Sequence, residues 1–77
     1  TEKVTLECDN SLVGPILDRF GTDVIIVPSG EERFKVTHEV AVSGQFFGWL
    51  VGLGPGVRIV YPQNVADEFR DRLRRMT

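Results

Sequence analysis

Every second residue is apolar along residues 3–8, at the start of the chain. Strict alternation of this kind predicts a strand with one buried face, which carries Val4, Leu6 and Cys8. The next apolar residues recur at helical spacing up to Gly21, a residue type that commonly ends helices. Asp9, Asn10 and Ser11 all offer capping oxygens for that helix. The first 21 residues therefore predict a strand followed by a helix.

A hairpin is predicted next. Residues 23–27 contain a β-branched run, and Pro28, Ser29 and Gly30 end it with typical turn chemistry. The return strand covers residues 33–42 and alternates again. Its predicted inner face carries Phe34, Val36, His38, Val40 and Val42.

The last third of the chain predicts a helix, a strand and a helix. Ser43 is the expected cap of a helix over residues 44–53, which Gly54 ends. A short strand over residues 57–61 follows, with Val57, Ile59 and Tyr61 on its inner side. Asn64 is the expected cap of the final helix, whose apolar stripe is Val65, Phe69, Leu73 and Met76.

The predicted order is β-α-β-β-α-β with an additional C-terminal helix, which indicates the α+β class and a ferredoxin-like sandwich. Such a sandwich has a four-stranded antiparallel sheet with two helices on one face, because both crossovers are right-handed. The other side of the sheet, called the open face below, is left uncovered. By phase it carries Thr5, Glu7, Lys35, Thr37, Glu39, Arg58 and Val60.

The helix over residues 44–53 has an unusual composition. Three glycines recur every four residues, the glycine stripe Gly44, Gly48 and Gly52, and each costs about 1 kcal/mol relative to alanine in a helix interior. Either the stripe lets the helix pack tightly on the sheet or on the first helix, or it receives the backbone of a partner. The helix is apolar nearly all round, so it is buried on more than one side, within the domain or at an interface. The residues assigned to that interface are Phe47, Trp49 and Val51. For Trp49 the favoured alternative is an anchor in the core of the domain.

Length and charge restrict the class of protein. The 77 residues form one small domain, 1–77, which we expect to be cut from a larger protein. The net charge of −2 disfavours autonomous binding to DNA. The longest apolar stretch is far shorter than the roughly 20 residues of a membrane span. We therefore expect a cytoplasmic protein that contacts no membrane.

No combination of residues indicates catalysis. One cysteine and one histidine exclude an internal disulfide and a structural zinc site, so we expect no metal, no cofactor and no enzymatic activity. Cys8 and His38 both share the core phase of their strands. Basic side chains are the remaining candidates for contacting nucleic acid or an effector, and they are Arg33, Lys35, Arg58, Arg74 and Arg75.

The second half of the chain resembles a known family. Residues 43–54, Ser-Gly-Gln-Phe-Phe-Gly-Trp-Leu-Val-Gly-Leu-Gly, are followed by Val57-Arg58-Ile59-Val60-Tyr61-Pro62 and a helix rich in arginine and acidic residues. In this order they resemble the C-terminal extension (WCX) domain of bacterial WYL-domain, helix-turn-helix (DeoR-like) transcriptional regulators. The first half fits the same outline through Val4-Thr5-Leu6, Phe20-Gly21 and a hairpin at Gly30.

That resemblance implies a larger regulator with an N-terminal winged helix-turn-helix, a central WYL domain and this extension with a ferredoxin-like fold. It implies a homodimer, effector-coupled control and contact with DNA only through the full-length protein. The ligand-contacting residues known in the family lie in the WYL domain, which this chain lacks, so the resemblance transfers no ligand site. Trp49-Leu50 is not the WYL signature.

Three other classes remain as alternatives. A stand-alone small-molecule sensor with a ferredoxin-like fold is compatible with the same elements. An acylphosphatase-like hydrolase shares the element order, but residues 9–12 lack the glycine-rich loop and arginine that such enzymes use. An RNA-binding sheet requires exposed aromatic side chains, and Phe34 is in the inward phase.

Overall fold

The computed structural model describes residues 1–75 of the chain. Its elements follow the predicted order. They are β1 (Glu2–Asp9), a 3₁₀ turn (Asn10–Leu12), α1 (Val13–Phe20), β2 (Ile26–Pro28), β3 (Arg33–Val40), α2 (Gly44–Gly52), β4 (Val57–Tyr61) and α3 (Gln63–Arg75). The α+β class is therefore confirmed.

The four strands form one antiparallel sheet with the order β2-β3-β1-β4. This is the strand order of a ferredoxin-like sandwich, as predicted. β1 pairs with β3 along its whole length, from Glu2 opposite Val40 to Asp9 opposite Arg33. β1 and β3 therefore occupy the centre of the sheet, and β2 and β4 form its edges.

The core lies between one face of the sheet and the helices. Val4, Leu6 and Cys8 supply the inner face of β1, as the alternation predicted, and all three are buried. The remaining buried apolar side chains are Ile16, Phe34, Val36, Phe46, Phe47, Leu50, Val57, Ile59, Val65, Ala66 and Phe69. They come from every element except β2 and the 3₁₀ turn, so a single cluster holds the sheet to the helices.

Both ends of α2 agree with the sequence. The Ser43 side chain accepts a hydrogen bond from the Phe46 amide at 3.3 Å, which satisfies one of the unpaired donors of the first turn. After α2, Gly54 has a φ of +86°, and its amide donates to the Val51 carbonyl at 3.0 Å. Glycine tolerates this left-handed conformation, which ends the helix.

The predicted caps of the other two helices are wrong. Ser11 lies in the 3₁₀ turn, and α1 begins two residues later without a side-chain cap. Asn64 lies inside α3, which begins at Gln63 and not after Asn64. The Gln63 side chain donates to Asp67 Oδ1 at 2.9 Å, four residues along the same helix. The predicted apolar position at Met76 lies outside the described residues.

The outer strands differ from their predictions. β2 pairs only from Ile26 to Pro28, because the preceding residues turn away from the sheet, and β3 ends at Val40. The register between β1 and β4 shifts between Thr5 and Leu6, so that Tyr61 lies opposite Thr5. Thr5 belongs to the open face, and directly opposite residues share a face. Tyr61 is therefore 60% exposed and not in the core, which corrects the predicted inner side of β4.

α3 packs beside α2 on the helical side of the sheet. The Phe69 ring stacks on the Phe47 ring, with 5.6 Å between the centroids and 11° between the planes. Val65 and Ala66 are buried in the same contact layer, whereas Leu73 is exposed. The additional C-terminal helix is thus part of the core and covers one side of α2.

We expect Phe69→Ala to destabilise the domain by about 3–5 kcal/mol, because it removes a buried ring and leaves a cavity against Phe47. Leu73→Ala, at an exposed position on the same helix, is the control and should cost much less. Urea unfolding followed by circular dichroism measures both. Equal losses would show that α3 is not anchored by Phe69.

Candidate functional site

Glu7 occupies the centre of the open face. It is only 8% exposed, although its strand phase points it away from the core. Its Oε1 accepts hydrogen bonds from Arg58 Nε at 2.9 Å and Arg33 Nη1 at 3.4 Å, and its Oε2 accepts one from Ser29 Oγ at 2.8 Å. A buried carboxylate needs partners of this kind. Glu7, Arg33 and Arg58 are called the arginine cluster below.

These contacts favour the ionised form of Glu7. The hydrogen bond from Ser29 is the main reason why the pKa of Glu7 lies below its usual range, and the charge of Arg58 adds to it. Partial burial acts in the opposite direction but does not prevail. The carboxylate therefore remains charged and holds both arginines across the strands.

Two further charged residues adjoin the arginine cluster. Asp9 Oδ1 lies 3.6 Å from Arg33 Nε, and Lys35 lies directly opposite Glu7 on β3. The side chains of Arg33 and Arg58 are 54% and 66% exposed. Both guanidinium groups thus contact Glu7 on one side and solvent on the other.

Apolar side chains flank the cluster on both edge strands. Ile25 and Val27 are exposed beside β3, and Val60 and Tyr61 are exposed on β4. An open depression of about 610 Å³ lies on the β2 side, lined in part by Ile25, Val27, Lys35 and Thr37. The open face therefore combines a cationic centre with apolar edges.

A second groove lies on the opposite, helical side of the molecule, between α2 and α3. It measures about 460 Å³ and is lined by Gly44, Phe47, Gly48, Val51, Arg72 and Arg75. Arg72 lies over the Phe47 ring, with 4.9 Å between its Cζ atom and the ring centroid. Its Nε is also 3.7 Å from Glu68 Oε2. The floor of the groove is apolar and its α3 side is cationic.

The model of one protein family, the WCX domain, matches the whole chain, residues 1–77. The chain belongs to the WCX domain family. The resemblance seen in the sequence is thereby confirmed, and the membership indicates a regulatory domain of the kind found at the C-terminus of transcription regulators. No curated protein and no solved structure matches the chain.

In this WCX domain the glycine stripe does not serve internal packing. A Cβ atom built on Gly48 or Gly52 would meet no other atom within 4 Å, and one on Gly44 would only reach Arg72 Nη1 at 4.0 Å. All three glycines are exposed. The interpretation that the stripe lets α2 pack tightly on the sheet or on α1 is therefore wrong.

The three predicted interface residues have different positions. Phe47 is 2% exposed and packs under α3, where its ring stacks on Phe69. Trp49 is half-buried against Phe20, with 5.4 Å between ring centroids, and Arg19 covers its ring at 5.2 Å. Val51 is half-buried and lines the groove.

The predicted basic residues fall into two separate groups. Arg33, Lys35 and Arg58 come together around Glu7 on the open face. Arg75 lines the groove on the helical side, and Arg74 Nη1 lies 3.7 Å from Asp71 Oδ1 on α3. The five residues therefore do not form one surface.

The single cysteine and the single histidine of this WCX domain both contact other residues of the fold. Cys8 is fully buried, and burial raises the pKa of its thiol to about 11, which makes it a poor nucleophile. The His38 ring stacks on Phe20 at 4.8 Å, and its Nδ1 lies 2.7 Å from the Glu39 carbonyl oxygen. Within residues 1–75, no group of three or more metal-binding side chains converges. No helix of that part is long and apolar enough to cross a membrane.

Tyr61 is the residue of the open face that sequence reasoning missed. Its phase with Val57 and Ile59 predicted burial, and only the shift in strand register moves it. Residues 25 and 27 were also not assigned to this face, because a continuous β-branched run does not show which side is buried.

We expect Glu7→Gln to remove a pH-dependent part of the stability. The folded pKa of Glu7 lies below that of the unfolded chain, about 4.3 for glutamate, so its charged contacts stabilise the fold above that pH. This contribution disappears as the pH falls through the lower, folded pKa. Urea midpoints of the wild type and the variant should therefore differ at pH 7 and converge in acid. A constant difference across this range would contradict the assigned role of the charge.

Proposed function

We propose that this WCX domain is a non-enzymatic C-terminal module of a bacterial, cytoplasmic transcription regulator. In this proposal it forms homodimers and couples an effector signal to DNA binding by an N-terminal helix-turn-helix, with a WYL domain between them. DNA is contacted only by the full-length protein. The family membership supports the regulatory role, and the glycine stripe supports self-association.

The solvent-facing glycine stripe is the observation that carries the proposal. Glycine in a helix interior costs about 1 kcal/mol relative to alanine, and nothing inside the described chain requires it at Gly48 or Gly52. A helix without side chains along one line lets a second backbone approach closely. In this proposal, a contact with a second chain offsets the free-energy cost of these glycines.

α2 has a suitable surface for a second copy of itself. The sequence of α2 contains no charged residue, so the charges nearest to the stripe are Arg72 and Arg75 of α3, at one side of the groove. Val51 flanks the stripe on the groove side, and Trp49 is half-buried on the same helix. The proposed interface therefore consists of the stripe with Trp49 and Val51, and Phe47 supports it from beneath.

Self-association suits the control of a helix-turn-helix protein. Such proteins bind as dimers to two half-sites, whose spacing must match the spacing of the recognition helices. The Ser43 cap and the Gly54 turn define both ends of α2, and its buried side packs in the core. A conformational change in the core or in α3 is thus transmitted to the interface through α2.

The enzymatic alternative receives no support from a specific contact. Where acylphosphatase-like enzymes bind phosphate after the first strand, this chain has a 3₁₀ turn over Asn10–Leu12. Asn10 uses its side-chain amide to bond the Glu31 carbonyl at 3.1 Å, and so stabilises the turn. Release of phosphate from an acyl phosphate at an enzymatic rate would refute the non-enzymatic assignment.

The proposed interface is tested by Gly48→Leu. A leucine side chain on the stripe keeps two helices apart, and overpacking of this kind costs about 1–3 kcal/mol, so the dimer should dissociate about tenfold more readily. The measurement is light scattering of the 77-residue chain over a concentration series.

Gly14→Leu is the matched control. Gly14 also lies in a helix, is exposed and has no atom within 4 Å of the position that a Cβ atom would take, but it belongs to α1. Gly48→Leu replaces a glycine in a helix interior and should stabilise the folded monomer by roughly 0.5–1 kcal/mol. At Gly14 the gain is smaller, because Pro15 follows and restricts the helical conformation of a non-glycine residue before it. Only Gly48→Leu should weaken the dimer. A wild type that is monomeric at every concentration, or two variants that associate equally, would refute the interface.

A further inference from the structure

The open face brings two arginines into contact with a single oxygen atom. Arg58 Nε and Arg33 Nη1 both lie within 3.4 Å of Glu7 Oε1, although they come from strands on opposite sides of β1. Two guanidinium groups held this close repel each other unless negative charge lies between or above them. Glu7 supplies the charge between them.

Solvent reaches the outer side of the arginine cluster. Arg33 pairs with Glu7 and Asp9, Arg58 pairs with Glu7, and Lys35 lies opposite Glu7 in a depression that Asp23 also lines. Among the described residues, no side chain other than Glu7 bonds to Arg58, and the bond uses its Nε. A guanidinium has five N–H donors, so the terminal donors of Arg58 remain available to solvent. The cluster therefore offers outward-facing guanidinium donors.

The two arginines are also restrained by hydrogen bonds to Glu7 without any ligand. Glu7 is fixed by Ser29 on its other oxygen, so the three hydrogen bonds restrain the positions of both guanidinium groups. A planar guanidinium fork matches the oxygens of a phosphate group, and prior ordering lowers the entropy that binding costs. A phosphate group is thus the ligand chemistry that these donors fit.

An aromatic surface lies beside the cluster at a short distance. Tyr61 is opposite Thr5 and Arg58 is opposite Glu7, two residues apart along β1, which corresponds to about 7 Å. Tyr61 is 60% exposed on this face, and its ring provides a surface on which a planar group stacks. The spacing suits a ligand whose ring is joined to its phosphate by a sugar-sized linker.

The small number of basic side chains favours a small ligand over a polymer. The whole chain has a net charge of −2, and the basic side chains around Glu7 are Arg33, Lys35 and Arg58. Polyanion binding depends on neutralising many phosphates at once, which this surface does not do. The donors of Arg33 and Arg58 are enough for one phosphate group.

We propose that the arginine cluster and Tyr61 form the effector site of this WCX domain, which binds a small phosphate monoester with a planar ring. The phosphate contacts Arg33 and Arg58, Lys35 adds long-range attraction, and the ring stacks on Tyr61. This inference deepens the effector-coupling part of the proposed function and rests on it, but it does not depend on the α2 interface.

The test titrates the 77-residue chain with adenosine monophosphate, inorganic phosphate and adenosine, followed by amide and arginine side-chain NMR shifts. Adenosine monophosphate should shift residues of β1, β3 and β4 around Glu7 and Tyr61. Phosphate alone should shift the arginines with weaker affinity, and adenosine should bind weakest. No saturable shift with adenosine monophosphate, or shifts spread over all arginines alike, would refute the site.

Variants separate the roles of the residues. Arg58→Gln should weaken adenosine monophosphate binding at least tenfold, whereas Arg74→Gln, at an exposed arginine of α3 paired with Asp71, should not change it. Tyr61→Ala should weaken adenosine monophosphate but leave inorganic phosphate unchanged. Equal effects of Arg58→Gln and Arg74→Gln would refute specific recognition.

Glu7→Gln distinguishes positioning from simple charge attraction. The substitution makes the face more positive, so attraction alone would tighten phosphate binding. If Glu7 orients the arginines, binding weakens despite the added positive charge, and this is the expected result. Tighter binding would refute the positioning role. Circular dichroism of each variant confirms that it is folded.

Two further measurements keep this site separate from the proposed function. Tighter binding of a short single-stranded oligonucleotide than of adenosine monophosphate would overturn the small-ligand assignment. Light scattering on the same samples reports the dimer independently. Failure of ligand binding with an intact dimer refutes this site alone, whereas a monomer that binds adenosine monophosphate refutes the α2 interface alone.

Discussion

The packing of α2 between the sheet and α3 determines the rest of this structure. Phe46 and Leu50 are buried in the core on the sheet, and Phe47 is buried against Phe69 of α3. When a helix has apolar residues on almost every side, packing against one neighbour does not fix which side of the helix faces that neighbour. With two neighbours, the sides that carry large side chains are both covered, and the glycine stripe is the side that remains. The bare surface of α2 is therefore a consequence of how its aromatic residues are buried.

The open face is stabilised in a different way. All three helices lie on the other side of the sheet, so no apolar layer covers the open face. Its polar and charged side chains must therefore pair with one another or with water. Glu7 does this at the centre, where it joins β1 to Arg33 of β3 and Arg58 of β4. Exposed ion pairs contribute little, but a carboxylate that is mostly buried and accepts three hydrogen bonds restrains its partners. The same restraint that orders the sheet surface presents the two guanidinium groups to solvent.

Much of this arrangement was predictable from local patterns. The alternation in β1 identified its buried side, Ser43 was correctly expected to cap α2, and the element order indicated the ferredoxin-like sandwich. The predicted open face included Glu7, Lys35 and Arg58 in their observed positions. The burial of Phe47 was one of two alternatives that helix periodicity left open, because periodicity does not show which neighbour covers a second apolar side. Ser11 and Asn64 were wrongly expected to cap helices, since a capping residue type also suits turns and first helical turns.

The amino-acid sequence by itself determined the order of the elements, the inner face of the central strands and membership of the WCX family. These depend on residue periodicity and on local turn chemistry, which act over a few neighbouring positions. Only the tertiary structure decided that Tyr61 joins the open face, because that depends on a register shift against Thr5, which lies far away near the start of the chain. It also decided that the glycine stripe faces solvent, because the position of α3 settles which side of α2 is covered. Strand register and helix orientation are set by contacts between distant segments, and no local pattern contains them.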